Sequence, residues 1–463
     1  MDRVGLITPS DHLRAALVAV ADAGVAQVIG PLRGPEGEAV EALRRLERAE
    51  PDGSQVRPLL ASDPPDIAAL ERARRRDLLA GEVELQRRSR SAIRHGSFAG
   101  LIAWVPTDEV ERLRSRLATT GAAVVELPRP SLVEPPTLMR PGPMTRPFRP
   151  LVDTYGAIRQ RDIDPTPFAA AAFVLMFGMM FGDVGQGLLL ALLGLLLRRS
   201  ERPGLGGVRS LWPFLVAGGL AATFFGFLYG EFFGPTGIVP VLWIKPVDEP
   251  IRLLVAALAV GALLLAVSYA LGIFNRLREG GLGVALLAPS GIAGFALFAG
   301  GGLAALALVA DVPALAILGV AIGVIGMALL FLGFAAEAGF GAAGLGQATV
   351  QLFDSVIRVS ANLISFSRLA AFGIVHGALG AIVLDGAGAL WGGILGSLAA
   401  VVVFVAGNAV AFALQTLVAG VQAMRLEYYE LFSRVLVGQG EPFTPWHVPI
   451  ATREVPVAAR AST

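Results

Sequence analysis

Residues 168–197, "FAAAAFVLMFGMMFGDVGQGLLLALLGLLL", form an apolar run whose only charge is Asp183. One straight helix through it would be roughly 45 Å long, against a bilayer hydrocarbon core of about 30 Å. A run of this kind has two solutions, a tilted helix or two short helices hinged at "FGMMFGDVGQG". Further long apolar stretches follow, and the chain is 54% hydrophobic and 16% charged with mean hydropathy +0.64. These values belong to a polytopic membrane protein.

Charge chooses between the two solutions. Of 37 arginines, 24 precede residue 168, so an arginine-rich soluble part leads into an apolar part. The segment "RRSERPGLGGVR" carries Arg198, Arg199, Arg202 and Arg209, and both it and the N-terminal part are expected on the cytoplasmic side. An even number of crossings must lie between them, which selects the hinged hairpin. The remaining spans fall at 211–233, 252–274, 284–309, 312–336, 350–384 and 390–436, with a basic turn at "NRLREGG" and a short turn at Asp311. That makes about eight spans, the last two long and tilted, with both chain ends inside.

Before the membrane part, "RVGLITP", "VAQVIGP", "GLIAWVP" and "AAVVELP" read as strands, and "SDHLRAALVAVADAG" and "TDEVERLRSRLATTG" as helices, the second with Thr107 as N-cap. The pattern is two β-α-β units. The segment "DIAALERARRRDLLAGEVELQRRSRSAIRHG" between them reads as one long helix, either a solvated connector or a short coiled coil. The resulting fold class is an α-helical polytopic membrane domain plus a small α/β cytoplasmic N-terminal domain. Its parts are residues 1–130, a Pro/Arg-rich linker at 131–166, the transmembrane domain at 167–436 and a cytoplasmic tail at 437–463. The start of the chain lacks a charged-then-apolar leader pattern.

Several function classes drop out. There is no cysteine, and His12, His95, His376 and His447 are scattered, so disulfides, thiolate chemistry and a zinc cluster are not expected. No phosphate loop or GxGxxG follows a strand, so no ATP-hydrolysing site and no cofactor is expected on this chain. A formal charge of +1, with no interleaving of basic and aromatic residues, argues against nucleic acid.

The polar residues inside the apolar half carry the functional signal. "NLISFSRLAAFGIVHGAL" holds Arg368, and "LQTLVAGVQAMRLEYYELF" holds Arg425. An arginine at a span centre costs about 2.5–3.5 kcal/mol on insertion scales, so such a residue is usually paired or lines a wet cavity. The bland alternative is a head group bent into the interface, to which Arg425 is the more open because "LEYYELFSR" follows at once. Asn408, Gln415 and Gln422 recur every seven residues and so stack along one helix face, with Arg425 three residues on. His376 lies eight residues beyond Arg368, within about 80° of the same face; it is either a proton relay or a packing histidine. Asp183 is either a helix cap in the hairpin or an acid of the path, and Glu231 and Glu337 sit near span ends.

These residues resemble a known family. "RPFRPLVDTYGAIRQRDIDPTPF", "FGMMFGDVGQG" and "TFFGFLYGEFFG" are similar to the first membrane spans of the rotary V/A-type ATPase membrane subunit, called subunit a or subunit I. "ANLISFSRLAAFGIVHGALG" resembles its arginine-bearing seventh span, and "VQAMRLEYYELFSRVLVGQGEPFTPW" its eighth span and tail. The resemblance covers about residues 130–447 in order; "VEPPT" and "GLIAWVP" extend it into an N-terminal part much shorter than the family's. It implies that Arg368 and Arg425 face a proteolipid rotor ring, with Gln422 as polar partner to Arg425. It further implies that His376 matches a histidine of eukaryotic members, and that Gln415 stands where those members carry a glutamate. Asp183, Glu231 and Glu337 are then the candidate acids of the proton path. The implied role is a stator in a proton-translocating complex in a prokaryotic plasma membrane. Its expected partners are the ring, peripheral stalk subunits, central-stalk and catalytic subunits, and the lipid bilayer. Two other classes compete, a secondary transporter, for which no convincing internal repeat is found, and a structural assembly subunit.

Overall fold

The computed structural model describes residues 1–32, 35, 37–49, 56–129, 133–138, 142, 146–154, 156, 158–200, 209–436 and 440–451. Arg202 lies outside the described residues. The chain forms two compact units, one of Met1–Met139, Ala157–Gln160 and Gly440–Thr463, the other of Arg140–Gly156 and Arg161–Gln439.

In the first unit all four expected strands form. They are β1 (Asp2–Pro9), β2 (Gln27–Ile29), β4 (Phe98–Val105) and β5 (Ala123–Glu126), joined by a short β3 (Ile93–His95). The order is β2-β4-β1-β5 with β3 on β4, and every pairing is antiparallel. This is a split β-α-β arrangement, in which β4 inserts between the two strands of the first unit. Helices α1 (Leu13–Ala23) and α5 (Val110–Ala118) bury Leu13, Ala16, Leu17 and Val20, and Val110, Leu113 and Leu117. Those positions repeat at helical spacing and meet Val4, Leu6, Leu101 and Val105 from the sheet in one core. Trp446 and Val448 enter the same core. Residues 440–451 run back along the unit through bridges Leu60↔Ile450 and Thr137↔Pro442.

Two local expectations are corrected. The charged segment is not one solvated helix. After α2 (Glu38–Ala49) it divides into α3 (Ile67–Arg72) and α4 (Arg76–Ser89). Arg74 adopts φ 53° at the break, a conformation no continuous helix accommodates. Buried Leu78, Leu79 and Leu85 then turn α4 inward. Thr107 does not cap α5 with its side chain. It opens a 3-10 turn, and its hydroxyl accepts from the Met1 amino group at 3.4 Å.

Burying α4 also buries Glu82, whose side chain is 3% exposed. Arg14 donates to both of its oxygens, at 2.7 and 2.5 Å, and to the carbonyls of Ala61 and Asp63 at 3.2 Å. Arg14→Ala leaves that carboxylate unpaired and is expected to destabilise the unit by about 3–5 kcal/mol. Denaturant unfolding followed by tryptophan fluorescence measures this. The double replacement Arg14→Met/Glu82→Leu is expected to recover most of the loss.

The second unit is helical. After a short α6 (Arg149–Asp153), the run at 168–197 divides into α7 (Thr166–Met180) and α8 (Val184–Arg199), as the hinge requires. Both arms pack on α9 (Trp212–Tyr229). Phe173 meets Phe214 with ring centroids 5.5 Å apart, and the Tyr229 hydroxyl donates to the Met179 carbonyl at 3.2 Å, so α7 runs parallel to α9. Gly187 faces Gly219 and Thr223 while Gly194 faces Trp212–Val216, so α8 runs antiparallel to it. Contact between α8 and α9 is backbone to backbone. A Cβ on Gly219 would lie 2.6 Å from the Ala191 nitrogen, and small residues are what let membrane helices approach so closely.

Next come α10 (Pro250–Leu287), α11 (Ile292–Ala310), α12 (Pro313–Ala338), α13 (Ala342–Ser365), α14 (Ser367–Ala389) and α15 (Gly393–Leu426). A π-helical turn, Glu427–Leu431, and α16 (Phe432–Val435) complete the unit. Among the described residues, six helices are long and apolar enough to cross a membrane, with α13–α14 counted as one and α15–α16 as one; α7 is a shorter apolar helix. The turn at Asp311 is present, with φ 52°. The turn expected at "NRLREGG" falls at its last two residues, Gly280 and Gly281, which divide α10 into two helical segments. Helix continues through Asn275 and Arg278 up to that point. Asn275 explains the continuation, since its side chain is held inside the unit. It accepts from the Ile163 amide at 3.0 Å and donates to the Val435 carbonyl at 3.2 Å.

Candidate functional site

Polar side chains inside the second unit gather in two groups. The first surrounds the hairpin hinge. Asp183 is the N-cap of α8: one carboxylate oxygen accepts from the Gln186 amide at 2.8 Å, the other from the Gly234 amide at 2.8 Å. The local reason is legible, because aspartate ahead of a helix satisfies amides that have no partner within it. The Gly234 bond ties the hinge to the loop after α9. On that loop Glu231 is 2% exposed, and its Oε2 lies 3.8 Å from His376 Nε2 of α14. Asp183, Glu231 and His376 are all buried and offer ligand-type atoms within 4.8 Å of one another.

The glutamine face of α15 meets this group in part. Gln186 donates to Asn408 Oδ1 at 3.3 Å, and Asn408 returns its amide hydrogen to the Phe404 carbonyl of its own helix at 3.0 Å. Gln415 and His376 line one cavity of about 180 Å³ with Met180 and Phe372. Phe181 stacks edge-on against the His376 ring at 5.1 Å. Among the described residues, Glu231 Oε2, His376 Nδ1 and both Gln415 amide atoms are buried without a hydrogen-bond partner. Buried polar groups normally find partners, and here four unpaired atoms gather around His376 and Gln415.

The second group lies where α14 begins. Arg368 stands in the first turn of α14, its side chain 32% exposed, with Nη1 3.6 Å from Glu430 Oε1. That separation is a charge contact and not a hydrogen bond. Nη1 is buried with no hydrogen-bond partner among the described residues. Ser365 and Arg425 also face the Glu430 carboxyl. Arg425 occupies the last turn of α15, and Gln422 Oε1 beside it is buried and unpartnered. Glu337 joins neither Asp183 nor Glu231. It is exposed at the end of α12, on a cavity of about 480 Å³ shared with Arg276, Asp354, Arg358, Asn362 and Arg434.

Sequence reasoning missed Glu427, Glu430 and Arg434. "LEYYELFSR" reads as membrane-edge sequence, yet the π turn and α16 carry it back into the protein, where Glu427 is 0% and Glu430 5% exposed. Arg434 donates to the Tyr269 hydroxyl with its guanidinium 4.3 Å from that ring. With its amide turned, Asn362 accepts from Arg434 at 3.0 Å and donates to the Arg358 carbonyl at 3.1 Å. The available signal was the spacing of Glu427, Glu430 and Arg434, three and four residues apart.

Residues 94–243 match the family model described as the V-type ATPase 116kDa subunit family. The chain is similar to the A-type ATP synthase subunit I of Thermococcus kodakarensis, 28% identical over 382 residues, which is 75% of this chain and 53% of that protein. It is similar to the Aeropyrum pernix protein of the same name, 29% identical over 77% of this chain and 58% of that one. A stretch of 143 residues is 36% identical to V-type ATP synthase subunit I 2 of Treponema pallidum, covering 29% of this chain and 32% of that protein. The chain spans about half the length of the first two relatives.

Proposed function

We propose that this chain, a homologue of the V-type ATPase 116kDa subunit family and of A-type ATP synthase subunit I, is the membrane stator of a rotary proton-translocating ATPase. The observation that carries the reading is Arg368, a half-exposed guanidinium at a helix start inside an apolar unit, near an acid yet not hydrogen-bonded to it. Its open face is available to a carboxylate on another chain.

The partner of that kind is a ring of proteolipids, each with one membrane-embedded carboxyl. A protonated carboxyl is neutral and tolerates lipid, whereas an ionised one does not. When a ring carboxyl turns from lipid to Arg368, the fixed cation favours its ionised form and the proton leaves. Arginine suits the task because it keeps its charge where a buried lysine would lose it. The same cation interrupts any continuous proton wire, so two half-channels are needed. One is assigned to Asp183, Glu231, His376, Gln415 and Asn408. The other is assigned to the Arg368 end, where Arg425 and Gln422 flank the ring surface and Glu337 borders the neighbouring cavity. Each proton crossing 100 mV carries about 2.3 kcal/mol, which is the work coupled to rotation.

The soluble unit supports the reading in a second way. Residues from both sides of the apolar unit, 1–129 and 440–451, share one core. A shared core supports the expectation that both chain ends are on one side of a bilayer, which an even number of crossings provides. Six long helices plus a two-armed hairpin satisfy that. We assign this unit to the cytoplasm, where it would bind the peripheral stalk and hold the stator against torque beneath the central-stalk and catalytic subunits.

Purification from native membranes in mild detergent tests the assignment. A ring of small proteolipids, each with one intramembrane carboxylate, is expected to accompany the chain. Recovery of the chain alone, with substrate-dependent uptake after reconstitution, would refute it in favour of a secondary transporter.

A further inference from the structure

We infer that Glu430 is the proton acceptor of the Arg368 half-channel, exchanging with the ring carboxyl as the counter-ion of Arg368; this rests on the stator reading above. Glu430 is 5% exposed, its Oε2 has no hydrogen-bond partner among the described residues, and its Oε1 stands 3.6 Å from Arg368 Nη1. Ser365 and Arg425 also face its carboxyl. A permanent structural ion pair would close to hydrogen-bond length and occupy both oxygens, as Arg14 does with Glu82. This pair does neither. It is held within reach and left open.

The backbone shows why the acid stands there. Glu430 lies on a π-helical turn, Glu427–Leu431, and single π turns inside helices are frequent at functional sites. Arg425 precedes the turn and Arg434 follows it, and Arg434 is already engaged by the Tyr269 hydroxyl. Arg368 is thus the cation with Glu430 nearest and a side open to a partner chain.

The exchange keeps every charge accounted for. A ring carboxyl arrives protonated while Glu430 is ionised beside Arg368. The ring O–H bond breaks and an O–H bond forms on Glu430, so the ring carboxylate inherits Arg368 as counter-ion and Glu430 becomes neutral. At no stage is the arginine left without a carboxylate, a state that is strongly unfavourable in an apolar surround. Glu430 then releases its proton toward the neighbouring cavity bordered by Ser433, Asn362 and Asp354; the ring carboxylate takes up a proton from the other half-channel and leaves Arg368, and the Arg368–Glu430 pair re-forms. During synthesis the same steps run in reverse.

The test uses the complete complex in vesicles, comparing the wild type with Glu430→Gln, Glu430→Asp and Arg368→Ala. Glu430→Gln is expected to assemble with the ring yet lower ATP-driven proton flux about 10²-fold, the scale of one proton-transfer group. Glu430→Asp is expected to restore most of the flux. Infrared difference spectra between the resting and turning complex are expected to contain one protonated-carboxyl band that Glu430→Gln removes. Normal flux in Glu430→Gln with none in Arg368→Ala overturns the inference and leaves the stator reading standing. Flux that persists in Arg368→Ala overturns the stator reading itself. Loss in both Glu430→Gln and Glu430→Asp, with no carboxyl band in the wild type, means a packing role and also overturns the inference.

Discussion

On the stator reading proposed above, replacing Arg368 by alanine is expected to lower ATP-driven proton transport in the assembled complex by at least about 10²–10³-fold, with the ring still co-purifying. The magnitude is that of removing one preorganised charge from a water-poor site. Two structural facts set the expectation. The side chain is 32% exposed and spans no helix interface by hydrogen bonds, so its removal leaves the packing of α14 intact. Glu430, by contrast, loses its nearest cation, leaving a buried acid with only the more distant Arg425 as counter-charge. Arg368→Lys is expected to retain a fraction of the activity at most, because a lone ammonium in that surround sheds its proton more readily and lacks the planar fork. Proton uptake into vesicles and ATPase rate, measured together, separate lost transport from lost assembly. If Arg368 only set topology, both variants would pump normally.

Asp183→Ala is expected to produce a large structural loss in the helical unit. Two amides, of Gln186 and Gly234, depend on this carboxylate. Loss of an N-cap costs about 1 kcal/mol, and a buried amide left unpaired adds about 1–3 kcal/mol. The hinge would also release the loop bearing Glu231, whose backbone carbonyl accepts from the Val184 amide at 2.9 Å. A summed loss of about 2–4 kcal/mol is expected in thermal unfolding of the purified complex. Asp183→Asn retains one acceptor oxygen and is expected to lose about half as much. If the residue served only as a proton carrier, stability would not change with either variant.

What could be read ahead of the structure was local. The hinge at residues 168–197 followed from length against bilayer thickness together with the arginines on its two sides, whereas Asp183 stayed open between a helix cap and an acid of the path until the amides of Gln186 and Gly234 were seen on it. The strands of the first unit were legible from their apolar runs. Their order was not, because β4 enters between β1 and β2 through pairings that no local spacing encodes. The break before α4 escaped for a similar reason: its composition is that of a solvated helix, and the cause is one backbone conformation at Arg74. At the site, the stripe of Asn408, Gln415 and Gln422 was legible from its seven-residue period. Its meeting with Gln186 and His376 was not, nor was the approach of Glu430 to Arg368, since both join residues far apart in the chain. The acids of "LEYYELF" were passed over because a charge after an apolar run ordinarily marks water, and here a π turn carries them back under protein.

The return of residues 440–451 to the sheet imposes an order of events on biogenesis. Trp446 and Val448 fill the centre of a body whose strands emerge from the ribosome first. At ordinary elongation rates, on the order of tens of seconds separate the two. Throughout that interval the leading segment must wait incomplete, its apolar face unsealed, while the helices behind it are threaded into lipid. The core of this unit can therefore close only after the last apolar helix has been synthesised.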